Sequence, residues 1–136
     1  DAVWSELDAP RPALSPAMSA RLQRTCAFIE KNLAEPLQLA DLAAAASLSV
    51  SALEVNFRRA FGLPPVAYVV RRRIETAQLL LAQGTAPKVV CARTGFRSLQ
   101  YFSRCFRARV GMSPRAFART NARDVAPSAR PSPTAP

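Results

Sequence analysis

Histidine is absent from this chain of 136 residues. Without an imidazole there is no Ser-His-Asp or Cys-His catalysis and no zinc site that needs a histidine ligand. Cysteine is scarce: Cys26, Cys91 and Cys105 form no CxxC pair and leave an odd one over. Neither a disulfide framework nor a thiolate metal site is indicated, and free thiols in a reducing compartment are the plain expectation. No apolar run approaches the roughly 18 residues needed to span a membrane, and the first residues lack the basic start and apolar stretch of a secretory signal. Lysine is nearly missing as well. Only Lys31 and Lys88 occur, so seventeen of the nineteen basic residues are arginine, set against nine acidic ones.

That arginine-borne net charge of +10 points to a polyanionic partner, nucleic acid before an anionic surface. Arginine's planar fork suits bidentate contact with phosphate and guanine, which a merely solubilising charge would not require. The charge is also uneven: residues 1–57 carry net −3 and residues 58–136 net +13. The anion-holding part is therefore expected in the later half.

Proline marks the ends of the chain. Seven of its twelve prolines fall at Pro10, Pro12, Pro16, Pro127, Pro131, Pro133 and Pro136. Residues 1–16 are expected to be a linker or the remnant of a preceding domain, and residues 122–136 a disordered tail rich in Pro, Ala and Ser. Beginning at Asp1, the chain is expected to be a fragment or a processed product.

Residues 17–121 have helical periodicity throughout, and the fold class expected is all-α with seven helices. Gly62, Gly84, Gly95 and Gly111 each follow an apolar-periodic run, as a glycine at a helix C-terminus does. The helices expected are 17–33, 39–45, 50–61 after the cap Ser49, 65–82, 87–93 beginning at Pro87, 99–110 after the cap Ser98, and 114–120. Leu22, Cys26, Ile29 and Leu33 share a face of the first, Leu53, Phe57 and Phe61 of the third, and Phe102 and Phe106 of the sixth. The run Val66–Val70 is also rich in strand formers, which leaves a strand there as the alternative.

A repeat runs through this pattern. Residues 57–68 match residues 106–117 at a constant offset of 49, and Ser49 falls on Ser98 and Leu53 on Phe102 at the same offset. Leu42-Ala43 matches Val90-Cys91 at an offset of 48, so the second copy has one more residue in its turn. Each copy is a short helix with a small residue near its end (Ala43, Cys91), a tight turn and a capped second helix. This is the helix-turn-helix pattern, in which the second helix projects its N-terminal face into a major groove.

The run LADLAAAASLSVSALEVNFRRAFGLPPVAYVVRRRIETAQLLL and the later GFRSLQYFSRCFRARVGMSPRAF resemble the DNA-binding domain of AraC/XylS-type bacterial transcription regulators. The preceding FIEKNLAEPL fits the family's first helix. The resemblance implies a homeodomain-like tandem of two helix-turn-helix units joined by a long central helix, with two recognition helices entering successive major grooves. It implies sequence-specific binding of double-stranded DNA by a regulator, an activator, with no catalytic activity, no cofactor and no metal. RNA polymerase is a further expected partner, no membrane is, and the location expected is the bacterial cytoplasm, on the nucleoid. A sensor or dimerisation domain is expected to lie outside these residues. The rival reading is a basic helical module that binds RNA or anionic surfaces without sequence preference.

With Phe102 and Phe106 inward, Gln100 and Arg104 point outward at i and i+4, the side chains best suited to adenine and guanine edges, and the family's base-reading positions fall there too. Arg97, Ser98 and Arg107 are candidates for phosphate contact. In the first unit the outward residues are Val50, Ser51, Glu54 and Val55, of which Ser51 and Glu54 are the base-contact candidates and Arg58 and Arg59 the phosphate candidates. Glu54 departs from the basic or amide residues usual in the family, so the second unit is expected to dominate affinity. Of Arg71, Arg72 and Arg73, which together cover about 200° of helix surface, one is expected to pair with Glu75 or Glu54. Pro87 replaces an aliphatic residue usual in the family.

Overall fold

A computed structural model describes residues 14–129, and among them there are seven helices and no strand. They are α1 (Pro16–Lys31), α2 (Leu39–Ala45), α3 (Val50–Phe61), α4 (Pro65–Ala82), α5 (Pro87–Arg93), α6 (Leu99–Val110) and α7 (Pro114–Ala129). The strand-rich run 66–70 is helical, inside α4. Helical period won over local β propensity there, because Val69, Ile74, Ala77 and Leu81 all bury on one side of the helix.

The ends differ from expectation. The first helix begins one residue earlier, at Pro16 behind the cap Ser15, and stops at Lys31. The last runs to Ala129 rather than ending near Thr120, so residues 122–129 are helix and not tail. The prolines beyond Thr120 masked a stretch in which alanine and arginine favour helix. The remainder of the expected N-terminal linker and C-terminal tail lies outside the described residues.

The chain divides into two compact units. Among the described residues, the first comprises those up to Asn32 together with Leu37–Val69, and the second comprises Leu33–Pro36 with those from Val70 onward. In the first unit α1 packs on α2 and α3, and α2 on α3. Leu22, Ile29, Leu42, Ala43, Ala46, Leu53 and Phe57 are buried there. In the second, α6 packs on α5 and α7, around Ile74, Ala77, Leu81, Val90, Cys91, Phe96, Phe102 and Phe106. Ala43 and Cys91 are both buried, as close helix packing at a helix-turn-helix demands.

The repeat is structural as well as sequential. Phe57 meets Tyr68 edge-on at 5.3 Å, and their counterparts Phe106 and Phe117 meet edge-on at 5.5 Å. Such T-shaped pairs add about 0.5–1.5 kcal/mol beyond area burial. Ser49 Oγ accepts from the Ala52 N–H and Ser98 Oγ from the Tyr101 N–H, the same cap in both copies.

One buried carbonyl is satisfied differently in the two units. At the end of α2 the Ala46 N–H turns to the Ala43 carbonyl, and the Leu42 carbonyl accepts instead from the Thr25 hydroxyl at 2.8 Å. In the second copy the equivalent Val90 carbonyl accepts from both the N–H and the hydroxyl of Thr94. Thr25 and Thr94 are the two buried polar residues among those described, and each is buried because it carries this bond. Thr25→Val keeps shape and removes the donor, so it is expected to destabilise the protein by about 1–2 kcal/mol, with Thr25→Ser losing less. Urea unfolding followed by circular dichroism reads the difference, and an unchanged midpoint for the valine variant would show that the hydroxyl contributes nothing.

Candidate nucleic-acid interface

Helices α3 and α6 begin alike. Each has a serine cap, an exposed apolar first residue (Val50 at 39% and Leu99 at 45% relative exposure) and a glycine C-cap, Gly62 or Gly111, in the left-handed region. Ser51, Arg58, Arg59, Arg97, Ser98, Gln100, Arg104 and Arg107 are exposed, and Glu54 is half-buried. The structure thus brings Gln100 and Arg104 together on one outer face of α6, one turn apart, with Ser98, Leu99, Gln100 and Ser103 lining a shallow open depression at its start.

The phosphate candidates lie elsewhere on the helices. Arg58 and Arg59 occupy the last turn of α3, and Arg107 the last turn of α6. At a rise of about 1.5 Å per residue they sit roughly 13 Å from the helix start, comparable to the ~12 Å width of a major groove. A side chain there reaches the groove's rim more readily than its floor. Ser98 already uses its oxygen to cap α6, but its hydroxyl proton remains available to an anion beside the helix N-terminus.

Arg104 is held from behind. Its guanidinium carbon lies 5.8 Å from the centre of the Tyr101 ring, inside the range of cation–π attraction. The Tyr101 ring in turn sits 5.9 Å from Phe96, which is buried in the turn before α6. The hydrogen bond between Tyr101 and Cys105, followed by burial, raises the Tyr101 phenol above its ordinary value, against the opposing pull of Arg97 and Arg104. Tyr101 thus stands behind Arg104, a contact that the sequence did not single out. Its signal was there in the i, i+3 spacing of an aromatic and an arginine on an otherwise polar face.

Other arginines are committed to the fold. Arg24 donates to the Ala45 and Ala46 carbonyls at 3.2 and 3.4 Å, and Arg21 to the Ser47 carbonyl at 3.1 Å. These are the orphan carbonyls at the end of α2 and in its turn. Arg73, half-buried, donates to the Leu33 and Glu35 carbonyls at 3.1 and 2.8 Å, and burial lowers its pKa from arginine's ordinary value. Arg24 and Arg73 stand 49 residues apart, so the repeat's own offset marks them as a structural pair. Arg71 and Arg72 both pair with Glu75, which resolves the expectation for that triplet in favour of Glu75 over Glu54.

Comparison with known proteins agrees with this architecture. A family model described as a helix-turn-helix domain matches residues 42–120. The chain belongs to the AraC-type helix-turn-helix family. Among curated relatives, the arabinose operon regulatory protein of Escherichia coli K12 is 33% identical over 113 residues, 82% of this chain and 39% of that protein. An AraC-type transcriptional regulator from Chromobacterium violaceum superposes with a TM-score of 0.71 at 27% identity, covering 79% of this chain and 97% of that one. The DNA-binding domain of AdpA, a global transcriptional factor solved with a target DNA, gives 0.72 at 28%, covering 83% and 98%. The AraC-type chain described here thus spans under two fifths of the length of the curated relatives it first matches. Its family is one of transcription-regulator DNA-binding domains and not of enzymes. Among the described residues no helix is long and apolar enough to cross a membrane.

Proposed function

We propose that this AraC-type domain binds specific sequences in double-stranded DNA on behalf of a transcription regulator, with α3 and α6 each presented to a major groove. The observation that carries the reading is the exposed Gln100–Arg104 pair on a capped helix, with the guanidinium backed by Tyr101. An amide and an arginine one turn apart offer bidentate partners to adenine and to guanine, and Arg97 and Arg107 flank them for phosphate. The second unit supplies most of the affinity, because the opening turns of α3 carry Glu54 and no cation while α6 carries Arg104 with Arg97 before it. The parent protein acts as an activator in the bacterial cytoplasm, with RNA polymerase as partner and with effector sensing and dimerisation placed outside this chain.

Selection of bound duplexes from a random pool, followed by titration at physiological salt, tests the reading. The expected result is a recovered site bound about a thousandfold or more tighter than scrambled duplex, with an A or G preference that Gln100 and Arg104 substitutions relax. Equal binding of recovered and scrambled duplexes would replace it with a basic module that recognises backbone charge alone.

A further inference from the structure

The two units place their outer side chains in register, and the register singles out a residue in the first. At the offset of 49, Ser51 corresponds to Gln100, Glu54 to Ser103 and Val55 to Arg104. Exposure follows the same correspondence: Ser51 and Gln100 are exposed, Glu54 and Ser103 are both half-buried, and Val55 and Arg104 are exposed. The i, i+4 pair that faces outward from α3 is therefore Ser51 with Val55, and Glu54 lies to its side.

Val55 is 57% exposed in the middle of a helix that has no cation before Arg58. A single exposed valine is ordinary on any surface, and Val66 is as exposed. What distinguishes Val55 is that it stands where the second unit places its arginine. A valine cannot accept or donate to a base edge, but its two methyl groups are stiff about χ1 and suit the one apolar feature of the major groove, the C5 methyl of thymine. The position of Tyr101 is taken in α3 by Ala52, so the first unit lacks the ring that backs a long cation and does not need one for a short apolar side chain.

We propose that Val55, with Ser51 one turn before it, is the base-reading pair of the first unit and that Val55 packs on a thymine methyl. The half-site of α3 then contains a T·A pair at the position where the half-site of α6 presents guanine to Arg104. This inference rests on the DNA-binding reading above and assigns a chemistry to its first half-site.

The test uses the full 136-residue chain and the duplex recovered by selection. Arg104→Ala identifies the α6 half-site as the one whose preference relaxes, and each thymine of the other half-site is then replaced singly by deoxyuridine, which removes only the methyl. One such replacement is expected to weaken the unsubstituted protein about three- to fivefold, from the loss of one buried methyl contact. Val55→Ala should bind the thymine duplex correspondingly less well and be indifferent to the same replacement, with an unchanged thermal midpoint because Val55 is exposed. Val55→Arg should move the preference at that position toward guanine. A recovered duplex in which no thymine of the α3 half-site is sensitive to demethylation, or a Val55→Ala protein that keeps the sensitivity, overturns the assignment while leaving specific binding intact. A pool that yields no preferred duplex overturns both readings together.

Discussion

Gly95→Ala is expected to lose about 3–5 kcal/mol, a large share of the stability of a small domain, with Gly111→Ala losing only about 1–2 kcal/mol. Both glycines have positive φ, +82° and +94°, so the strain of placing an L side chain in the left-handed region is common to the two. Space separates them. A Cβ on Gly95 would stand 2.2 Å from the Leu33 carbonyl oxygen and 3.0 Å from the Arg73 guanidinium, whereas nothing lies within 4 Å of one on Gly111. The Leu33 carbonyl is backbone and is itself held by Arg73 Nε, so relief requires moving the loop 33–36 or breaking its hydrogen bonds to Arg73. The first unit supplies an internal comparison, since Ser47 occupies the corresponding turn with φ +57° and tolerates a side chain there. Denaturant unfolding of the two variants, with near-ultraviolet circular dichroism reporting the aromatic core of Phe96, Phe102 and Phe106, checks the ordering. Equal losses for Gly95→Ala and Gly111→Ala would show that φ alone, and not the approach of Leu33, sets the requirement for glycine.

That turn also shows what could be read from the sequence and what could not. The glycines announced the helix ends because positive φ has a residue preference, and five of the seven helices begin and end where periodicity and caps place them. Phe57 and Phe106 were legible as core for the same reason, being bulky residues at helical spacing that repeat at an offset of 49. The close approach of Leu33 to Gly95 was not legible, since it depends on a loop more than sixty residues away in the chain. Long-range bonds from side chain to backbone escaped in the same way. Arg21, Arg24, Arg73 and Thr25 look like surface arginines and an ordinary helical threonine until the carbonyls they satisfy are placed beside them.

The charge pattern is accordingly sharper than its total. Of the +13 carried by residues 58–136, Arg73 is spent on loop carbonyls and Arg71 and Arg72 share Glu75. In the net-negative part, Arg21 and Arg24 are spent on the end of α2. Exposed cations remain on and beside α6, at Arg97, Arg104, Arg107 and Arg109, and in the last turn of α3. Residues 50–57 of α3 hold no cation, and it is there that the proposed contact of Val55 with a thymine methyl stands in place of an ionic one.

Arg104→Ala is expected to weaken binding to the preferred duplex by roughly ten- to a hundredfold, about 1–3 kcal/mol, and to relax discrimination at a single base. Two features set this size. The guanidinium fork can hold both O6 and N7 of one guanine, so a wrong base loses two hydrogen bonds at once and leaves desolvated donors unpaired. The Tyr101 ring, in contact with Phe96, already restricts Arg104, so less side-chain entropy is lost when the fork engages. Arg104→Lys keeps the charge and should keep the salt dependence, yet it should recover only a small part of the discrimination, since a point charge lacks the fork. Tyr101→Leu leaves the fork and removes the ring behind it, and should show a smaller loss of the same single-base kind. Arg107→Ala, by contrast, should weaken all duplexes alike and reduce the slope of log K against log salt by about one, as a phosphate contact does. Competition titrations against the four variants of the affected base pair, at two salt concentrations, separate these outcomes. A uniform loss across sequences for Arg104→Ala, with a shallower salt slope, would reassign Arg104 to the phosphate backbone and leave Gln100 as the base reader of α6.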